Sequence, residues 1–234
     1  MRLFAIGDLH MSGGEEKPMD VFGAQWDRHF FHICENWRKM VGEEDTVLIP
    51  GDISWAMHLE DASADLEEIG RLPGRKILCK GNHDYWWNSV SRVRSCLPAS
   101  VSAIQHSAED LGNCVVCGTR GWLFPTAGQP LTEQDMKIFL RETERLRLAL
   151  NQAEAMAAGR PVVVMIHYPP LTTEEKETAF TELLESFRVS TVVYGHLHGQ
   201  GTRNGFEGEH HGVCYHLVSC DHLGFCPKEI QIKS

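Results

Sequence analysis

Asp8-Leu9-His10, Gly51-Asp52, Gly81-Asn82-His83-Asp84, His167 and Gly195-His196-Leu197-His198 are the residues of this chain whose types and order can do chemistry together. Carboxylate oxygen and neutral imidazole suit Mn, Fe and Zn, whereas an all-oxygen set would favour Mg or Ca and a thiolate set structural Zn. The chemistry this set points to is metal-assisted, with donors enough for a pair of ions. On its own, a Gly-Asp or a lone His is far more often a turn or a surface residue. The weight lies in the ordered set, in which each element follows an apolar run.

Those runs must position the donors. Leu3 to Ile6, Thr46 to Ile49, Lys76 to Cys79, Val162 to Ile166 and Thr191 to Tyr194 each read as a buried strand ending in polar or glycine residues. Open α/β sheets bind ligands beyond the carboxyl ends of their strands, so these ends predict one convergent site. Gly51, Gly81 and Gly195 allow tight turns and close backbone approach beside the donors. Between the strands, Phe22, Trp26, Phe30, Ile33, Trp37 and Met40 make one helical apolar stripe, and Leu59, Leu66 and Ile69 a shorter one. Val101 to His106 and Asn113 to Thr119 predict two further strands, followed by a loop over 121–130. The clearest helix begins at Thr132 with Asp135 in a capping-box-like pair, repeats Met136, Phe139, Leu146, Leu150, Ala153 and Ala157, and ends at Gly159 and Pro161. Two last strands are expected near Val213 to Ser219 and Glu229 to Lys233.

The ordered set Asp-x-His, Gly-Asp, Gly-Asn-His-Asp, His, Gly-His-x-His resembles the full signature of the calcineurin-like metallophosphoesterases, and it runs from Asp8 to His198. The resemblance implies an α/β fold, a four-layer α/β/β/α sandwich with two central mixed β-sheets, in a single domain over 1–234. It implies one metal ion on Asp8, His10, Asp52 and His198 and a second on Asp52, Asn82, His167 and His196, with Asp52 as the bridge. His83 matches the family's general-acid or transition-state-stabilising histidine, and Asp84 the acid that supports it. The implied cofactors are two divalent or trivalent transition-metal ions, Mn, Fe or Zn. The implied activity is hydrolysis of phosphoester bonds by a hydroxide shared between them.

The family includes monoesterases, cyclic and linear diesterases, nucleases and pyrophosphatases, so the motif does not choose a substrate. Little sequence is left over for a cap, which favours a small phosphorylated substrate and a small-molecule phosphodiesterase or phosphomonoesterase. The competing readings are a catalytically silent protein-binding scaffold on the same fold and, among enzymes, a nuclease. The intact ligand set and His83 speak against the first.

Other residues earn weaker expectations. Arg120, at a strand end, is a candidate to grip a substrate phosphate, with a surface salt bridge as the equal alternative. The loop Ser12 to Asp20 and Trp55, Met57 and His58 lie sequence-close to ligands and are candidate pocket residues, though ordinary loop and packing roles are favoured. Tyr85, Trp86 and Trp87 follow His83 and Asp84 and offer stacking faces, with core packing of at least one Trp expected. Cys114 and Cys117 have zinc-knuckle spacing, yet within a strand they would point to opposite faces, so they read as core. Glu209, His210 and His211 read as a solvated loop rather than as contacts to substrate or metal.

A formal net charge of -10 argues against a basic footprint for extended nucleic acid. It leaves room for an anionic substrate, because a di-metal centre is itself a local positive charge. The N-terminal apolar stretch is too short for a signal peptide and no segment approaches a membrane span, so the expected compartment is the cytoplasm, without a membrane partner. The eight Cys are then expected as reduced thiols.

Overall fold

The computed structural model describes residues 1–12, 19, 23–126, 128 and 130–232. The first half runs β1 (Leu3–Ala5), α1 (His29–Met40), β2 (Thr46–Pro50), α2 (Leu59–Gly70), β3 (Arg75–Cys79), α3 (Val90–Arg94) and β4 (Val101–Ile104). The second half runs β5 (Ser107–Asp110), β6 (Val115–Thr119), α4 (Glu133–Ala157), β7 (Val162–Ile166), α5 (Ala179–Ser186), β8 (Thr191–Tyr194), β9 (Gly208–His210), β10 (Val213–Leu217) and β11 (Lys228–Glu229). One sheet is five-stranded in the order β11-β1-β2-β3-β4, and the other six-stranded in the order β5-β6-β7-β8-β10-β9. Both are mixed. Strands β1 to β4 are parallel and β11 is antiparallel to β1. Strands β6, β7, β8 and β10 are parallel and carry antiparallel β5 and β9 at the edges.

The alternation of side chains along each strand stacks these sheets. Leu3, Ala5, Leu48, Ile77 and Cys79 of the first sheet meet Val116, Val163, Met165 and Val193 of the second in one apolar layer. Their neighbours turn outward. Phe4, Val47, Ile49 and Leu78 pack under Ile33, Trp37, Leu66 and Ile69 of α1 and α2. Val115, Cys117, Val164, Ile166 and Val192 pack under Leu146, Leu150, Ala153, Phe180 and Leu184 of α4 and α5. The layers are helix, sheet, sheet, helix, as expected. Cys114 faces the inter-sheet layer and Cys117 the helical one. The zinc-knuckle spacing therefore serves packing on opposite faces.

Local signals explain most boundaries. The Thr132 side chain accepts the Asp135 N–H and caps α4, and Ala158 and Gly159, both with positive φ, end it. The stripe expected from Phe22 to Met40 divides instead of forming one helix. Phe22 lies outside the described residues, Trp26 sits in a separate 3-10 turn, and Arg28 adopts φ 49° before α1 starts. Of the last expected strand, Glu229 to Lys233, only Glu229 falls within β11, which starts one residue earlier at Lys228, and Lys233 lies outside the described residues.

Candidate metal centre

Past the end of β1 the chain keeps pairing, and this draws the two sheets together. Gly7 N–H donates to Val218 O at 2.7 Å, across to the second sheet, while Asp8 N–H donates to Gly51 O and His10 N–H to Asp52 O, each at 3.0 Å. At this convergence Asp8, His10, Asp52 and His196 have φ of 59°, 43°, 51° and 73°. Non-glycine residues occupy that region at a cost of about 1 kcal/mol or more each, so the surrounding backbone must hold them there. Gly81 and Gly195 are required by close approach, since a Cβ would overlap Asp52 Oδ1 at the first and Asp8 Oδ2 at the second.

The ligand atoms form two groups, Asp8 with His10 and His198, and Asp52 with His167 and His196. In the first, His10 Nε2 and His198 Nε2 face each other at 3.2 Å, and Asp8 Oδ1 is 3.6 Å from His198 Nε2. In the second, Asn82 Oδ1 lies 2.7 Å from His167 Nε2 and 2.9 Å from His196 Nδ1. Asp52 Oδ2 reaches both groups, 3.7 Å from His10 Nε2 and 3.4 Å from His167 Nε2. Two donors on one tetrahedral ion of about 2.1 Å bond length stand about 3.4 Å apart, so these spacings fit metal ligation. The structure brings together all the metal ligands expected from the sequence.

The electrostatics are compatible with a bound cation. Asp8, His10, Asp52 and His167 are buried, and among the described residues no Lys or Arg pairs with either carboxylate. Burial, joined by the charges of Asp84 and Asp8, pushes the Asp52 carboxyl well above the usual range. Burial would raise Asp8 too, but hydrogen bonding and charge from His198, with His167 and His10, hold it low. Burial depresses His10 and His167 and takes His196 down to about 3, with the His167 charge adding to it, so these rings are neutral lone-pair donors. His167 Nδ1 donates to Pro50 O at 2.9 Å, which leaves Nε2 to face the centre. His198 differs. Burial would lower it, but Asp221 and Asp8 raise it to about 10 in the metal-free chain.

His83 flanks the pair: its N–H donates to Asp52 Oδ1 at 2.8 Å, its ring lies 4.3 Å from Trp55 and 5.8 Å from His10, and Tyr85 Oη is 3.4 Å from its Nδ1. Trp55 also stacks on His10 at 4.9 Å. The buried Asp84 carboxylate accepts N–H bonds from Gly81, Ile53, Ser54 and the Trp86 indole. It therefore brackets the two ligand loops, and its support for His83 runs through their backbone rather than directly to the ring.

Arg120 is partly buried, its guanidinium 3.6 Å from the buried Glu142 and 4.5 Å from the Trp122 ring centroid, and its Nε has no partner. His58 is an exposed helix-start residue on α2 without a side-chain cap bond. Trp86 and Trp87 are fully buried, whereas Tyr85 is exposed beside His83. Of the Ser12 to Asp20 loop, 13–18 and 20 lie outside the described residues, and Met19 packs its sulfur 3.3 Å from Trp55 Nε1. Sequence reasoning missed Asp221, whose Oδ1 accepts from His198 Nδ1 at 2.9 Å and aims Nε2 inward. No spacing signals this isolated Asp. It also missed Trp26, which the break before α1 sets 5.5 Å from the His198 ring.

The family model for calcineurin-like phosphoesterases matches residues 1–200. The chain belongs to the calcineurin-like phosphoesterase family. The family implies divalent metal ions, and the two donor groups of the site are the candidates to hold them. Two phage proteins resemble part of this chain: the Gene 66 protein of Mycobacterium phage D29 is 46% identical over 80 residues and that of phage L5 38% over 79, each match covering 33% of this chain and 37% of the phage protein. The chain thus spans well under half the length of these relatives. The fold is shared with a protein of unknown function from Aquifex aeolicus, AQ665 (17% identity, TM-score 0.52, covering 97% of this chain and 95% of that one). It is also shared with the phosphopantetheinyl hydrolase PptH from Mycobacterium tuberculosis (14% identity, TM-score 0.57, covering 98% and 95%). No helix among the described residues is long and apolar enough to cross a membrane.

Proposed function

We propose that this phosphoesterase hydrolyses a small phosphorylated substrate, as a phosphodiesterase or phosphomonoesterase, at a pair of transition-metal ions, Mn, Fe or Zn. The observation that carries the reading is the position of Asp52 Oδ2 within 3.7 Å of His10 and 3.4 Å of His167, which lets one carboxylate serve both ligand groups. Asp8, His10 and His198 would hold one ion, and Asn82, His167 and His196 the other. Bound there, the ions would supply a nucleophile from water at neutral pH and neutralise charge on the phosphate oxygens.

The chain's own residues do the rest. His83, with Nδ1 toward Tyr85, offers Nε2 to hold or deliver a proton at the leaving oxygen. Trp55 packs against both rings, stacked on His10 and tilted against His83, and Asp84 fixes the loops that carry His83 and Asp52. Exposed Tyr85 can stack on an aromatic leaving group, and Arg120 and His58 are held as candidate substrate contacts. The test compares Mn-loaded protein on a phosphodiester and a phosphomonoester with the same chromogenic leaving group, with His83→Ala as the control. Turnover of either one, lost in His83→Ala, is the expected result; metal-bound protein inactive on both would favour the scaffold reading.

A further inference from the structure

A second cluster of imidazole and carboxylate lies away from the centre, between α5 and the β9–β10 hairpin. His211 and Gly212 form the two-residue connection with φ of 46° and 84°, the positive values a tight hairpin turn of this handedness needs. His210 pairs with Val213, whose side chain belongs to the layer under α5, and so is carried on the helix-facing side of the hairpin. Glu185 near the end of α5 and Glu177 just before its start complete the group. His210 Nε2 is 3.0 Å from Glu177 Oε1, and His211 Nδ1 is 3.1 Å from Glu185 Oε2. The two imidazoles stack at 4.0 Å, and one ligand atom from each of the four residues falls within 4.8 Å of all the others.

Two buried polar atoms beside this group lack a partner. Glu185 Oε1 is buried without a hydrogen bond, and so is Oη of the fully buried Tyr215, whose nearest influential charges are Glu185 and Glu177. A buried carboxylate oxygen left unpaired is costly, so its presence beside three further donors points to a ligand. Glu185 and His211 also line an open cleft of about 540 Å³, which gives an ion access from solvent.

We propose that Glu177, Glu185, His210 and His211 form a zinc-type cation site, separate from the catalytic pair, that ties the edge hairpin of the second sheet to α5. Two imidazole nitrogens and two carboxylate oxygens complete a tetrahedral set, the closed coordination of structural rather than catalytic zinc. The site stands independently of the catalytic reading, because it shares no residue with it.

The experiment counts metal. The full chain is stripped with a chelator, reloaded with zinc alone, desalted and analysed by atomic emission, alongside His210→Ala/His211→Ala and, as a milder variant, Glu185→Gln. The expected result is one zinc ion per chain fewer in both variants than in the parent. Equal zinc content in parent and variants overturns the proposal. Melting of the chelated forms checks folding, and should the double variant melt early, Glu185→Gln gives the deciding count. An Asn82→Ala/His167→Ala chain reloaded in parallel separates the two readings: an unchanged count there tells against the catalytic centre alone.

Discussion

The centre at the strand ends and the cluster at the β9–β10 hairpin use the same donors, imidazole and carboxylate, in opposite settings. At the centre Asp8, His10, Asp52 and His167 are each no more than 3% exposed, several are held at positive φ, and burial drives the protonation of His10 and Asp52 far from ordinary values. At the hairpin Glu177 and His211 are exposed and paired with single partners. Donor identity therefore does not make a catalytic site. What separates the two is convergence of strand ends from both sheets, which removes water and fixes the donors before any ion arrives.

The comparison breaks most plainly at the donors themselves. Asn82→Ala or His167→Ala should lower phosphoester hydrolysis by roughly a thousandfold or more, measured as kcat/KM, because each removes an oxygen or nitrogen proposed to hold a metal ion. Activity within tenfold of the parent would show that the buried group is not the working one.

Preorganisation is tested next, without touching a donor. Gly195→Ala forces a Cβ onto Asp8 Oδ2 and should reduce metal retention and turnover by about a hundredfold while the chain stays folded by circular dichroism. Retained affinity would mean that the backbone at the centre adapts as easily as the hairpin.

Asp221→Asn sharpens the contrast one step further out. Loss of the carboxylate that orients His198 should weaken metal binding by about 10–100-fold. His198 carries its proton up to about 10 in the metal-free chain, so loading at pH 8 must expel a proton, measurable in weakly buffered solution. The variant should release less. The sign follows for stability too: a raised histidine pKa stabilises the metal-free fold fully below about 6.5, and that stabilisation is lost as pH rises through about 10.

The smallest effect is expected at a carboxylate with no part in the chemistry. Asp45 accepts from Arg2 N, Nε and Nη2 and from Gly42 N, and despite the opposing pull of burial these bonds hold it down at about 2. Asp45→Asn should cost about 1–3 kcal/mol in denaturant unfolding and leave metal content unchanged. A depressed carboxyl stabilises above about 4 and loses that contribution as pH falls through about 2, so the acid limb of the parent's stability curve should flatten in the variant.

The residues that converge at the centre were legible because a polar donor at a strand end leaves a local trace, an apolar run broken by Gly, Asp or His. Strands β7 and β8 appear with the expected limits for the same reason, their Val-rich runs being buried on both faces. Helix α5 was not legible: Ala179–Ser186 is too short for its stripe to stand out, and its capping pair is Thr178 with Thr181 rather than an acid. Edge strands β5 and β9 carry half-exposed residues without an apolar run. Asp221 and the bonds from Ile53 and Ser54 to Asp84 depend on chain segments far apart in sequence, which no local pattern encodes.

The left-handed backbone at Asp52 has one more consequence, for how such a protein drifts. Its φ of 51° is one that Asn tolerates well, and Asn would keep the bond from His83 N–H to Oδ1 while removing a carboxyl whose ionisation burial, Asp84 and Asp8 all oppose. A single nucleotide-scale change from Asp to Asn thus relaxes the metal-free chain at the same stroke that disables the carboxylate proposed to be shared. Once selection on hydrolysis lapses, the route downhill in folding free energy leads toward a sturdier, silent member of the same fold, so inactive descendants are expected to begin at this residue rather than at the glycines that frame it.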